Sequence, residues 1–125
     1  MQSDIKKVKG LGAARNGLNH WWLQRLTAFA LIPLCIWFVS VLFRAGATDY
    51  HISSIFNNIF FLISFLTLLS IAIYHATLGM KVIIEDYIHN EKIKFTLVIV
   101  MNLFALFTII TLTITQIADY LTRIN

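Results

Sequence analysis

Three long apolar blocks dominate the chain. Leu26–Phe43 contains 18 residues without a charged side chain, Ile55–Met80 contains 26 with histidine counted as neutral, and Phe95–Ala118 contains 24. A helix rises about 1.5 Å per residue, so each block is long enough to cross a hydrocarbon layer about 30 Å thick. Helices are the expected spanning form, because lipid cannot satisfy open backbone groups. The pattern therefore predicts an all-α integral membrane protein with three transmembrane helices.

The same pattern gives the domain organisation. We expect a single membrane-anchor domain over residues 1–125, with a polar N-terminal segment over about 1–20 and helices over about 21–44, 55–82 and 94–118. The N-terminal segment has no apolar core of the kind found in secretory signal peptides, and we expect it to lie along the inner membrane surface.

The charged residues indicate how the helices are oriented. The chain has 10 Lys and Arg against 6 Asp and Glu, and the basic residues are concentrated before the first span and between the second and third. In order, they are Lys6, Lys7, Lys9, Arg15 and Arg25, then Arg44 alone, then Lys81, Lys92 and Lys94, and finally Arg123. By the positive-inside rule the N-terminus and the second loop lie inside. The basic surplus therefore reflects topology, and we expect a lipid bilayer and no nucleic acid as the surroundings.

Composition excludes an ordinary soluble domain. The chain is 58% hydrophobic and 13% charged, and its mean hydropathy is +0.77. Its single cysteine, Cys35, lies within the first apolar block. No disulfide within the chain is possible, and the cysteine does not indicate a redox compartment.

One histidine, His75, lies inside the second apolar block. An ionisable side chain at membrane depth is by default a candidate functional residue. In a helix, Lys81 is roughly 9 Å further along the axis, and Asp86 is only about 20° away from His75 around it. Three small residues fall within roughly 60° of the same face, namely Ser64, Ala72 and Gly79. Such a face admits either a closely packed helix or a flat cofactor.

His75 has three possible roles. It can be a structural residue that is hydrogen-bonded to a neighbouring helix, or it can be an axial haem ligand. The small-residue face favours haem, because a porphyrin needs a flat wall. A proton relay is less favoured, because no second buried acid or base accompanies the histidine. His20, His51 and His89 lie at the membrane surfaces, so a haem with two histidine ligands needs the second from another chain. The protein would then be half of a heterodimer or a homodimer.

Other polar residues cluster near the inner surface. Arg25 is either a membrane anchor whose guanidinium reaches the headgroups or the partner of a haem propionate, which its bidentate geometry suits. Asp86 and Tyr87 are either ordinary interfacial residues or part of a quinone pocket. In that pocket the tyrosine hydroxyl donates to a quinone carbonyl and the aspartate fixes a nearby arginine.

Two motifs at their observed separation resemble one known family. They are His75-x-x-x-Gly79 followed by Asp86-Tyr87, with twelve residues from histidine to tyrosine, and Arg15-Asn16-Gly17 followed by Arg25 and Thr27-Ala28. Together they resemble the hydrophobic membrane anchor of succinate dehydrogenase, which is respiratory complex II. The resemblance covers essentially the whole chain, including its size and three helices.

The resemblance implies specific roles. His75 would be an axial ligand of haem b, Arg25 a partner of a haem propionate, Tyr87 a hydrogen-bond donor to ubiquinone, and Asp86 a support of the quinone pocket. The family has a histidine near Asn19, where the register with His20 is uncertain, so no haem role is assigned to His20.

The resemblance also implies partners. The protein would be half of a heterodimeric haem-binding bundle, with a second membrane subunit that supplies the other ligand. An iron–sulfur subunit and a flavoprotein subunit would carry the succinate chemistry, so this chain would be a non-catalytic anchor. Its location would be a bacterial inner membrane, with the mitochondrial inner membrane as the alternative. Two other functions stay open, a fumarate reductase anchor and a small structural or channel protein without redox chemistry.

Overall fold

The computed structural model describes residues 12–47, 55 and 57–125, with only the backbone described for residues 12–16. These residues form three helices: α1 (Gly12–Ala47), α2 (Ile59–Tyr87) and α3 (Glu91–Ile124). Each is long and apolar enough to cross a membrane. No strand occurs in the described part of the chain. The predicted all-α fold with three membrane-spanning helices is confirmed.

The first and third helices extend beyond both ends of the apolar blocks that predict them, whereas α2 begins at Ile59, four residues into its block, and ends beyond it at Tyr87. α1 begins at Gly12, inside the segment that the hydropathy pattern assigns to a polar N-terminus, and α3 continues to Ile124. Hydropathy marks where a helix enters lipid, whereas its backbone hydrogen bonds continue for as long as the side chains tolerate a helix. Residues Tyr50 and His51 of the first connection lie outside the described residues.

Asparagines cap the N-termini of the second and third helices. The Asn58 side chain accepts a hydrogen bond from the Phe60 backbone N–H at 2.9 Å, and the Asn90 side chain accepts from Lys92 and Ile93 at 3.1 and 3.4 Å. An asparagine oxygen in this position satisfies N–H groups that have no partner in the first turn of a helix. Only residues 88–90 separate α2 from α3, so the two helices are antiparallel neighbours.

The central helix of the bundle is α2. It packs against both α1 and α3, while α1 and α3 have little contact with each other. All the buried apolar side chains of the described residues belong to α2, and they are Phe61, Leu62, Leu68, Leu78 and Ile84. Most large apolar side chains of α1 and α3 are exposed, which leaves broad surfaces for lipid or for other membrane subunits.

Aromatic contacts set the register of α1 against α2. Trp37 lies 5.6 Å from Phe61 between ring centroids, Phe38 lies 5.6 Å from Phe65, and the two α2 rings stack at 5.8 Å. Aromatic pairs at this spacing pack favourably. They occupy the half of the α1–α2 interface that is far from Tyr87. The other half, which we term the Tyr87 end, is lined by polar side chains.

Candidate functional site

The imidazole of His75 is hydrogen-bonded to the neighbouring helix. Its Nδ1 lies 2.8 Å from Thr27 Oγ1 of α1, and both side chains are half-buried. Thr27 Oγ1 also lies 2.8 Å from the Leu23 carbonyl oxygen and 3.1 Å from that of Gln24. The only hydrogen bond of His75 among the described residues is this one at Nδ1, so Nε2 has no partner there. One ring nitrogen is therefore held and the other is available to a ligand.

The small-residue face of α2 is partly filled by α1. A methyl group added at Gly79 would lie 3.5 Å from Gln24 Nε2, which is ordinary van der Waals contact. Of the two occupants that the sequence allows for this face, the structure therefore shows a close helix beside Gly79. A flat cofactor at His75 has to approach from a side of α2 that α1 leaves open.

Three polar side chains of α1 share the face that meets α2. His20, Gln24 and Thr27 are separated by four and three residues, the spacing of one helical face, and all three are half-buried. His20 Nε2 and Gln24 Oε1 are buried without a hydrogen-bond partner among the described residues. Buried polar atoms without partners indicate a ligand, water or partner group that completes the site.

Arg25 lies on another side of α1. It is two residues before Thr27, which places it about 160° from that residue around the helix. Its guanidinium carbon lies 4.8 Å from the centre of the Trp21 ring, in a cation–π contact. It borders an open groove of about 450 Å³ whose other lining residues are Trp22, Leu26, Ala28, Phe29 and Ile32. The structure places Arg25 near the level of His75 along the bundle axis but does not bring the two side chains together.

Asp86 and Tyr87 end α2 at the surface. Tyr87 is 77% exposed, and Asp86 is also exposed. Neither side chain makes a hydrogen bond or ion pair with the described residues, whereas the neighbouring Glu85 lies 3.9 Å from Lys81. Tyr87 is about 18 Å along the helix axis from His75. The two residues are thus available to a ligand or another subunit, at a separate position from the histidine.

The described residues offer one histidine ligand for iron at membrane depth. They contain no group of three or more His, Cys, Asp and Glu side chains that could hold a bare metal ion. His20 is about 10 Å along the axis from Thr27, so it cannot share an iron atom with His75. A macrocycle that brings its own nitrogen ligands fits this arrangement, provided that a second chain supplies the other axial ligand.

Sequence reasoning missed Thr27 as a contact of His75. It also missed Gln24 as the neighbour of Gly79 across the α1–α2 interface. The signal that can reveal them is the row of polar residues His20, Gln24 and Thr27 at helical spacing in an otherwise apolar segment.

Taken together, the fold and the site define a class of protein, a three-helix membrane protein that presents one histidine nitrogen at membrane depth and an exposed Asp-Tyr pair at one surface. The family model of the succinate dehydrogenase/fumarate reductase transmembrane subunit matches residues 1–110. The chain belongs to this family.

Curated relatives give a consistent picture. The chain is 35% identical over 111 residues to the succinate dehydrogenase hydrophobic membrane anchor subunit of Rickettsia conorii, an alignment that covers 87% of this chain and 88% of the relative. It is 37% identical over 114 residues to the subunit of the same name from Rickettsia bellii, with the same coverage. It is 33% identical over 97 residues to the succinate dehydrogenase membrane anchor subunit of Reclinomonas americana, with 74% and 80% coverage. No solved structure gives a significant match.

Proposed function

We propose that this protein is a membrane anchor subunit of succinate:quinone oxidoreductase. With a second small membrane subunit it binds haem b and forms a ubiquinone site, and it passes electrons from the iron–sulfur subunit to quinone. The observation that carries the proposal is the state of His75. One ring nitrogen is hydrogen-bonded to Thr27 and the other has no partner among the described residues, within a chain whose relatives are named as anchors of succinate dehydrogenase.

His75 is the proposed axial ligand of the haem iron. A histidine that binds a metal almost always donates its second ring N–H to a nearby acceptor, which fixes the ring orientation. The short contact with Thr27 supplies such an acceptor. When bound, the haem supplies a one-electron carrier inside the membrane. The second ligand comes from the partner subunit, because the described residues contain no other histidine at that depth.

Arg25 is the proposed partner of a haem propionate. The guanidinium borders an apolar groove near the level of His75, a setting that suits the carboxylate of an amphiphilic group. It now stacks on Trp21, on the side of α1 away from α2. The side chain therefore has to leave that stack to reach a group bound at His75, and this assignment stays a prediction.

Tyr87 and Asp86 form the proposed quinone contact of this chain. The Tyr87 hydroxyl is free of partners among the described residues and can donate a hydrogen bond to a quinone carbonyl oxygen. Asp86 is exposed beside it, and its carboxylate can accept hydrogen bonds from an arginine of a neighbouring subunit and so orient that arginine. The tail of the quinone stays in lipid, close to the exposed apolar surface of α2.

The partners follow from the anchor role. The soluble iron–sulfur and flavoprotein subunits bind at the Tyr87 end, which the basic residues assign to the inner side. We propose a bacterial inner membrane as the location, with the N-terminus inside, and the mitochondrial inner membrane as the alternative. A fumarate reductase anchor is the second candidate, because the family description names both enzymes.

Purification of the native complex tests the proposal. We expect flavoprotein and iron–sulfur subunits and a second small membrane protein in the preparation, identified by mass, and a b-type band in its reduced-minus-oxidised spectrum. A preparation that contains this chain without those subunits and without the band would favour a structural or channel protein. The direction of the reaction, measured with succinate and with fumarate, separates the two oxidoreductases.

A further inference from the structure

We infer that Thr27 is a positioning residue that fixes the proton of His75 on Nδ1 and thereby leaves the lone pair on Nε2 for a ligand. The inference rests on the proposed function for the identity of that ligand, but the placement of the proton follows from the contacts within the chain. A neutral imidazole has one N–H and one acceptor nitrogen, and the partner of one decides the character of the other.

The Thr27 hydroxyl carries a single proton. Three atoms lie within hydrogen-bond distance of Thr27 Oγ1, namely the carbonyl oxygen of Leu23 at 2.8 Å, that of Gln24 at 3.1 Å, and His75 Nδ1 at 2.8 Å, which donates or accepts according to the tautomer. A hydroxyl donates one hydrogen bond and accepts up to two. Only one of these three contacts can use the hydroxyl proton.

Other threonines of the chain show where that proton goes. Five of them donate to the carbonyl four residues earlier in their own helix at 2.8 or 2.9 Å, and they are Thr67, Thr96, Thr108, Thr113 and Thr115. Thr27 makes the same contact at the same length. This shared geometry favours donation of the Thr27 proton to Leu23, which leaves the oxygen lone pairs facing the imidazole.

The contact with His75 then requires a donor on the histidine. At 2.8 Å the two atoms are hydrogen-bonded. Because the hydroxyl proton is donated to Leu23, the proton of this second bond has to be that of Nδ1–H. The imidazole is held as the Nδ1–H tautomer, and its Nε2 is an acceptor with no partner among the described residues. This is the form in which histidine binds iron through Nε2.

The first test measures the tautomer without haem. The full chain, labelled with ¹⁵N-histidine and held in lipid bilayers, is studied by solid-state NMR, with His75 assigned by comparison with H75A. We expect Nδ1 of His75 to carry the proton in the wild-type chain. Thr27→Val keeps the side-chain shape and removes the acceptor, so the Nε2–H form should gain at least about fivefold, the effect of one neutral hydrogen bond. Thr27→Ser should behave as wild type.

Thr67→Val is the matched control. It also removes a threonine hydroxyl that donates to the carbonyl four residues earlier, on the same helix as His75 but away from it. The tautomer of His75 should not change in this variant. A Thr27→Val chain whose His75 tautomer matches that of the Thr67→Val chain would overturn the inference, and so would a wild-type chain with its proton on Nε2.

The second test measures the potential of the assembled complex. A hydrogen bond from Nδ1–H makes the imidazole more basic and stabilises the oxidised iron, so its loss should favour reduction. We expect Thr27→Val to raise the ratio of reduced to oxidised haem about fivefold at a fixed potential, which is about 40 mV at 59 mV per tenfold for one electron. Haem content should be retained, and Thr27→Ser and Thr67→Val should match wild type. Equal potentials in Thr27→Val and wild type would contradict the inference.

Failure of the proposed function has a different signature. If H75A leaves the haem spectrum unchanged, His75 is not a ligand, and the assignment of iron to its Nε2 is overturned. The tautomer measurement on the haem-free chain then still decides whether Thr27 controls the proton of His75.

Discussion

The quinone contact of this chain is best tested by Tyr87→Phe. The substitution removes one hydroxyl and keeps the ring. Because the Tyr87 side chain is 77% exposed and makes no hydrogen bond with the described residues, helix packing within the chain should not change. Any functional effect therefore reports on a partner outside this chain.

The size of the effect follows from the hydrogen bond that is lost. One bond to a ligand contributes about 0.5–1.5 kcal/mol, which is roughly a two- to thirteenfold change in an equilibrium or rate constant. The loss is larger if the bond strengthens as negative charge develops on the quinone oxygen during reduction. We therefore expect succinate-to-quinone activity to fall at least severalfold.

Two assays on one preparation separate the possible causes. Succinate oxidation by an artificial acceptor that takes electrons before the membrane subunits should remain near the wild-type rate, while reduction of ubiquinone falls. Tyr120→Phe is the matched control, since it makes the same change near the C-terminal end of α3, which is the end of that helix far from Tyr87. Equal losses in both assays would mean that the complex has dissociated. Full activity in both would refute the role of Tyr87 in quinone binding.

Two further predictions concern the haem surroundings and the packing of α1 on α2. Arg25→Ala should retain the haem and lower its midpoint potential, because the propionates lose a cation. A redox titration measures the potential. An unchanged potential would leave Arg25 as a membrane anchor stacked on Trp21. Gly79→Ala should assemble with nearly wild-type thermal stability, because the added methyl group meets Gln24 at 3.5 Å, whereas Gly79→Leu should lower the melting temperature of the complex by separating the helices. Equal stability of the two Gly79 variants would contradict the close packing at this position.

The fold was predictable because a bilayer imposes a simple rule. A charge-free block of about 20 residues has few alternatives to a spanning helix, so three such blocks predict three spans. The ends of the helices were not predictable in the same way. The first helix begins at Gly12, well before its apolar block, where hydropathy does not mark the start of a helix.

The surroundings of His75 depend on information that one helix does not contain. The sequence places His75 at membrane depth, but its contact with Thr27 requires the register between α1 and α2, which the aromatic pairs Trp37–Phe61 and Phe38–Phe65 set. Their depth in the membrane, taken alone, predicts that Arg25 and His75 belong to one site. Their positions around the helices place Arg25 on the far side of α1, a distinction that a hydropathy profile cannot make.

The central claim is that His75 binds the haem iron, and the haem spectrum of His75→Ala tests it most directly. The substitution would remove the proposed iron bond and leave α2 helical, since alanine favours a helix. His89→Ala, at the exposed connection between α2 and α3, is the control. In the purified complex we expect His75→Ala to lower the haem content or to shift the b-type spectrum towards altered ligation, while His89→Ala matches wild type. A His75→Ala complex with wild-type haem content and spectrum would contradict the account.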